Sequence, residues 1–432
     1  MTVSHASKHS GIADWVALTR AATVPTLFAD AALGVALAFV VSSIRIQDDI
    51  EWTTVTATAA GLASFSMAGS VLNGIVDRRI DARDHPDRPI AARRIRPSLA
   101  WTAFVILMWL GFALWPSFAP ATWWTGDAAE AGQLAPSTFS SGVMDSADAA
   151  VIALNAMSVV AAASVVLSNC THARTAWSVL FLGVFRFLVP VVVMTTILWQ
   201  LGWFGSTHFA VFGALGNAWP MAHGAERLLC ALLFPLAIAI HATVAAFAAR
   251  RHAPGEFATH RCAACGYLIS VAMQPARCSE CGCSLATTPP IGEHPVSTRD
   301  RMHCAILAGL PLLPVLVWLL MPRVAAYHDF GLRGIAGGVL IWIVLVPVGM
   351  FRVIIRTLAA LLAAWFVIAC LRGLRAARVH GTRKPGGIAA VIAASALLDA
   401  VATAMLGSLT LSAACVALWV ATRVLQRRIP GS

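Results

Sequence analysis

The residues best equipped for chemistry lie in one short stretch, Asn73-Gly-Ile-Val-Asp77-Arg-Arg-Ile-Asp81-Ala-Arg-Asp84-His85-Pro86-Asp87-Arg88-Pro89-Ile90. Asn73, Asp77 and Asp81 recur every four residues, so on a helix they form one polar stripe with neighbouring Cβ atoms about 5–6 Å apart. Two carboxylates at that separation repel each other unless a cation sits with them. Mg²⁺ suits the place, because it takes one or two carboxylates and leaves its other positions to water and phosphate oxygens. Arg88 and the arginines around it add planar donors that match a diphosphate. The stretch is a candidate site for Mg²⁺ and a phosphorylated ligand. The plainer reading is that these carboxylates only pair with adjacent arginines on a solvated loop. Against it, Asn73 and Asp77 lie within reach of an apolar run, where polar groups are costly unless they serve a cavity.

The elements that must hold this stripe are membrane helices. The chain has 432 residues, 59% apolar and 12% charged, against roughly 45–50% and 25% for a soluble domain. With a mean hydropathy of +0.76, a water-soluble enzyme is excluded and a bilayer is the solvent for most of the chain. Apolar runs long enough to cross it lie near 24–43, 57–76, 98–117, 149–169, 176–200, 227–249, 303–321, 388–405 and 409–425. The run 335–371 carries Arg352 and Arg356, and is either one long tilted helix or two helices meeting at Gly349–Arg352. The expected fold is an all-α polytopic bundle of nine to eleven transmembrane helices, ten preferred. Residues 1–22 form a tail, 23–250 the first six helices with the acidic motif 73–90, 251–300 an insertion, 301–425 the remaining helices and 426–432 a second tail.

The net charge of +11 is almost all arginine, since lysine occurs only at Lys8 and Lys384. Basic residues in short loops stay on the cytoplasmic side. Arg78, Arg79, Arg83, Arg88, Arg93, Arg94 and Arg96 crowd the first return loop, whereas 118–148 has no basic residue and carries Asp127, Glu130, Asp145 and Asp148. This asymmetry places both termini and the acidic motif in the cytoplasm, and the protein in the cell (inner) membrane. Trp115, Trp123 and Trp124 stand where an interfacial aromatic belt belongs.

The pattern Asn-x3-Asp-x3-Asp followed by Asp-His-Pro-Asp-Arg-Pro-Ile over Asn73–Ile90 resembles the first aspartate-rich motif of the UbiA superfamily of intramembrane prenyltransferases, with Asp84 where Asn is usual. Weaker similarity at Leu18-Thr19-Arg20, Gly183-Val-Phe-Arg186-Phe-Leu and Leu397-Leu398-Asp399-Ala400 resembles the EboC-like branch. The resemblance implies a Mg²⁺-dependent transferase that ionises a prenyl diphosphate to an allylic cation and alkylates a lipid or aromatic acceptor. By that resemblance Asn73, Asp77 and Asp81 are the catalytic set, Asp77 and Asp81 hold Mg²⁺, and Arg88, Arg20, Arg186 and Arg250 meet the diphosphate. Phe185, Phe187 and Trp365 are candidates for an apolar wall around the cation.

The chain departs from that pattern at the sixth helix. Where a second acidic motif is usual it reads Ile238-Ala-Ile-His241-Ala-Thr243 and on to Arg250-Arg251, with no aspartate from Val151 to Gly255. Either one Mg²⁺ with arginines suffices, or prenyl transfer is lost and the protein binds lipid phosphates or scaffolds a membrane complex. A solute transporter is a third reading, which leaves the Asn73–Ile90 stretch without a reason. Asp30 and Asp399 each sit in apolar runs, where an unpaired carboxylate costs at least about 2.5 kcal/mol. Each is expected to face a cavity or pair with a base such as Arg186.

Five of the ten cysteines crowd the insertion. Cys262-Ala-Ala-Cys265-Gly and Cys278-Ser-Glu-Cys281-Gly have the spacing of two zinc-ribbon knuckles, in which glycine permits the tight turn that aims two thiolates at one metal. A structural Zn²⁺ on Cys262, Cys265, Cys278 and Cys281 is expected, with Cys283 spare. Such a closed site offers no open position for catalysis. It suits a lid or a docking point for another protein; Arg261, Arg277 and Tyr267 are too few to argue for nucleic acid.

Overall fold

The computed structural model describes residues 11–42, 50–84, 88–115, 146–171, 177–200, 219–251, 259–261, 268–270, 306, 308–320, 340–379 and 386–428. In a bilayer every backbone polar group must be satisfied within the chain, which leaves apolar runs no choice but helix. Among the described residues six helical stretches are long and apolar enough to cross: Ala21–Ser42, Trp52–Val76, Val151–Thr171, Ser178–Gln200, Ile354–Leu374 and Leu409–Arg428. Three shorter apolar helices, Pro97–Ala113, Ala231–Phe247 and Ala389–Met405, accompany them. The chain is thus a multi-pass helical membrane protein.

In chain order the elements are α1 (Gly11–Leu18), α2 (Val24–Ser42), α3 (Trp52–Val76), α4 (Arg78–Asp84), α5 (Pro97–Ala113), α6 (Ser146–Thr171), α7 (Ser178–Gln200) and α8 (Trp219–Arg251). A short antiparallel pair, β1 (Thr259–Arg261) with β2 (Leu268–Ser270), follows, with His260 opposite Ile269. Then come α9 (Leu313–Leu320), α10 (Leu340–Val379), α11 (Gly386–Ala393), α12 (Ser395–Met405) and α13 (Leu409–Arg428). The hairpin lies in the expected insertion. Cys262 and Cys265 fall between its strands in sequence; like Cys278, Cys281 and Cys283 they lie outside the described residues, as does the loop 118–145.

α2 is the central post, packed on α7, α12, α13 and α3. Its fit against α7 depends on Gly34: a Cβ there would stand 2.5 Å from the carbonyl oxygen of Pro190. Only hydrogen lets the two backbones approach so closely, and that approach sets the register of everything α2 and α7 share. The main core runs through α2, α3, α7, α12 and their neighbours. A separate small cluster of Leu18, Val71, Ile75, Ile90, Ile95 and Ala100 fastens α1 and the 88–96 turn to the end of α3.

Three details differ from the reading of the sequence. From Leu340 onward the run 335–371 is a single helix, α10, through Gly349 and Arg352, which favours one crossing there. The run 388–405 is broken at Ala394, whose amide bonds to the carbonyls of both Ala390 and Val391. Trp115, expected in the interfacial belt, is fully buried against Phe65, ring centroids 6.3 Å apart. At the end of α12 the amide of Ser408 bonds to Thr403 and that of Gly407 to Ala404, with Gly407 at φ 85°. This left-handed glycine cap turns the chain into α13 and brings Ser412 back to the carbonyl of Ala400 at 2.9 Å.

Candidate active site at the end of α3

α3 loses regular geometry at Asp77, which adopts φ −83°, ψ 0° before α4 begins. The i to i+4 ladder nevertheless continues across the kink: Asp77 donates its amide to Asn73 at 2.9 Å and Asp81 to Asp77 at 2.8 Å. The polar stripe is therefore a real face. Asn73, Asp77 and Asp81 are buried, while Val76, Arg78 and Arg79 between them are exposed.

Arg88 is ion-paired to Asp81. The turn that carries it is closed by the amides of Ala92 onto Arg88 and of Arg94 and Ile95 onto Pro89. Arg94 reaches back to α1, its Nε 2.8 Å from Oδ1 of the buried Asp14. Arg20, between α1 and α2, completes the ring. Its backbone is left-handed, φ 49°, ψ 41°, a conformation that costs a residue with a Cβ about 1–2 kcal/mol and that persists where packing enforces it. Arg93 is the other non-glycine residue with positive φ among those described, at 59°. Both left-handed arginines flank the same site.

These elements enclose a cavity of about 170 Å³ whose wall includes Asp14, Arg20, Asn73, Asp81, Arg88 and Arg94. Asp77 acts on it from beside the wall. Burial and then the charge of Asp81 push the Asp77 carboxyl above its ordinary range, against the pull of Arg88, Arg20 and a hydrogen bond from Asn73. Among the described residues no three His, Cys, Asp or Glu side chains converge. Asp77 and Asp81 repel each other there, a repulsion that a divalent cation would relieve.

The shift of Asp77 has a consequence for stability. A carboxyl whose folded value is raised is unpenalised at low pH and destabilises as pH rises from its unfolded value through the folded one. Metal-free Asp77→Asn is therefore expected to match the wild type in thermal stability at acid pH and to exceed it above that window. Mg²⁺ held between Asp77 and Asp81 would narrow the gap. Melting curves across pH with and without Mg²⁺ check this, and a difference that does not vary with pH would refute the assignment.

The other sequence candidates are dispersed. Arg186 is not at the cavity: it pairs with Asp30 inside the bundle and bonds Thr26 and Ser395. Arg250 lies in the last turn of α8. His241, in the stretch where a second acidic motif was sought, is buried with Nε2 2.9 Å from the carbonyl of Val391 and its ring edge-on to Phe366. Phe185 is buried in the core and Phe187 packs beside it, whereas Trp365 meets Trp419 edge to face and is 40% exposed. Asp14 and Arg94 were missed. Their only signal was an acid in a short amphipathic segment and one arginine among many, and 80 residues separate them.

Fold and site define a polytopic helical membrane protein with paired carboxylates at the end of its second spanning helix. Residues 31–132 match the UbiA prenyltransferase family, a stretch that contains most of α2, all of α3 to α5 and the stripe. No curated protein matches the chain. Among solved structures, one described as "Structural and mechanistic insights into the biosynthesis of Digeranylgeranylglyceryl phosphate synthase in membranes" aligns with 96% of this chain and 99% of its own at 13% identity, with a TM-score of 0.34.

Proposed function

We propose that the protein is an intramembrane prenyltransferase that takes a prenyl diphosphate at the α3–α4 cavity and transfers its isoprenoid group to a lipid or aromatic acceptor. The observation that carries this reading is the buried Asn73–Asp77–Asp81 face opposed by Arg88 and Arg20 around one cavity, within the stretch that matches the family. Asp77 and Asp81 would hold Mg²⁺, which supplies charge to the departing diphosphate. Arg88 already points at Asp81, and a bound diphosphate competes for its guanidinium. Arg20 is held toward the same carboxylates by its backbone. Arg94, pinned by Asp14, keeps the 88–96 turn closed over α3. The apolar bundle beyond the cavity excludes water from a cationic intermediate.

The positive-inside count supports a cytoplasmic position for this cavity. In the insertion, a Zn²⁺ on Cys262, Cys265, Cys278 and Cys281 would form a rigid cytoplasmic lid or docking point, and the motifs at Arg186 and Asp399 resemble the EboC-like branch. The departure at α8 favours a second reading, a degenerate relative that binds lipid phosphates without turnover. Isothermal titration of the purified protein with a non-hydrolysable prenyl diphosphate tests both. Binding that strengthens at least about tenfold with Mg²⁺ supports the transferase, each tenfold step being 1.4 kcal/mol. Metal-independent binding, or none, overturns it.

A further inference from the structure

Asp30 of α2, Arg186 of α7 and Asp399 of α12 meet inside the bundle, away from the diphosphate cavity. Both aspartates are fully buried, and Arg186 is 8% exposed. Arg186 Nη2 donates to Asp30 Oδ1 at 3.0 Å and to Ser395 Oγ at 2.7 Å, and Nη1 donates to Thr26 Oγ1 at 3.1 Å. Its Nε lies 2.9 Å from Asp30 Oδ2 as an ion pair, yet Oδ2 receives no hydrogen bond. Asp399 stands one turn after Ser395 on α12, and so on the helix face that meets Arg186 beside Asp30. Neither of its own carboxyl oxygens has a donor among the described residues. Thr403 and Ser412 are nearby, but their hydroxyls are turned to the backbone carbonyls of Asp399 and Ala400.

Among the described residues, then, both oxygens of Asp399 lack a donor and Asp30 Oδ2 has only the ion-pair contact of Arg186 Nε. The charges do not balance either. One guanidinium meets two carboxyl groups, and with both ionised the interior would keep a net charge of −1, which costs several kcal/mol unless neutralised. One added hydrogen cancels the charge and satisfies two of the three oxygens, leaving only the neutral carbonyl oxygen of Asp399 without a donor among the described residues. We propose that the Asp30–Asp399 pair is a binding site for one proton, carried on Asp399 and donated to Asp30 Oδ2. The cluster is then an acid, a carboxylate and a guanidinium with no net charge. Asp30 takes the ionised role because Arg186 already grips it from two sides.

The remaining titratable groups around the pair fit this arrangement. Cys415 of α13 donates its thiol to the carbonyl of Ala29 at 3.8 Å and feels both carboxyls. His241 of α8 feels Arg186 and is bonded to Val391 rather than to either aspartate. The charged groups acting on the two carboxyls are each other and Arg186. The break at Ala394 serves the same site, because it lets Ser395 open α12 with its hydroxyl shared between Arg186 and the carbonyl of Ile392. Conserving the proton requires no bond to the chemistry at Asp77, so this inference stands or falls apart from the proposed activity.

Infrared spectroscopy of the full-length protein in lipid at neutral pH tests it. The wild type should show a protonated-carboxyl C=O band that shifts in D₂O and shifts again when the aspartates carry ¹³C in the carboxyl. That band should be lost completely in Asp399→Asn, retained in Asp77→Asn, and unchanged when choline replaces sodium. No isotope-sensitive band in the wild type, or one that survives Asp399→Asn, overturns the proposal. So does a melting temperature that rises with Na⁺ in the wild type, because a metal cation would then hold the place of the proton. If Asp399→Asn fails to fold, labelled Asp77→Asn decides: a band that disappears there overturns the proposal, and one that stays supports it.

Discussion

Asp77→Ala and Asp81→Ala are each expected to reduce diphosphate release from a prenyl diphosphate by at least about 10²–10³-fold, the scale on which removal of one preorganised electrostatic group is felt. The two substitutions act differently. Asp81 is nine-tenths buried and paired to Arg88, so its loss frees the guanidinium as well as removing a ligand. Asp77 stands at the kink with its carboxyl pushed upward by burial and by Asp81; its loss relieves that repulsion and leaves the fold unharmed. Asp77→Ala should therefore lose turnover while keeping or gaining stability, and Asp81→Ala should lose both. Release of diphosphate under saturating Mg²⁺, read beside a melting curve, separates them. Retained turnover in both variants would sink the assignment of the stripe to catalysis.

The largest structural effect is expected at Arg186. Removing one partner of a buried ion pair leaves the other charge unpaired and costs about 3–5 kcal/mol. Arg186→Met should fall in that range, since Asp30 then has only Asp399 beside it and Thr26 and Ser395 lose their donor. Asp30→Leu in the same chain should recover much of the loss, because replacing the whole pair by apolar groups removes the desolvation cost with it. Reversible unfolding in detergent measures the three proteins. A loss below about 1 kcal/mol for Arg186→Met, the size of an exposed pair, would mean the cluster is not dry.

The two sites differ in how far the sequence reveals them. The Asn73–Asp77–Asp81 face was legible because four-residue spacing is local: a helix of any tertiary surroundings places those side chains together. The structure adds that the ladder survives the kink at Asp77, and that Arg88 closes on Asp81 across seven residues. The wall supplied by α1 was not legible. Asp14 meets Arg94 only because the Leu18–Ile75–Ile90 cluster folds α1 under the turn, and no spacing encodes a contact made through a third element.

The intramembrane charges show the same division. Hydropathy alone said that Asp30, Arg186 and Asp399 were each too costly to stand unpaired, which is a statement about solvent. Which of them pair is a statement about packing. It depends on Gly34 letting α2 lie against Pro190 of α7, and on the break at Ala394 that sets α12 beside both. Arg186 was expected at the diphosphate as well as a partner for these aspartates, and the close approach of α2 and α7 places it with Asp30.

By itself the sequence determined the solvent of this protein, the place and rough length of several of its helices, the crowding of arginines in one loop and the acidic stripe. Each follows from composition or from contacts within one helical turn, where the backbone dictates geometry. Only the tertiary structure decided that α1 walls the cavity, that Arg186 belongs to Asp30, that Trp115 leaves the interface for the core, and that two carboxyls face one another with a single guanidinium between them. Those outcomes turn on which helices touch and in what register, and register is set by close packing between residues far apart in the chain.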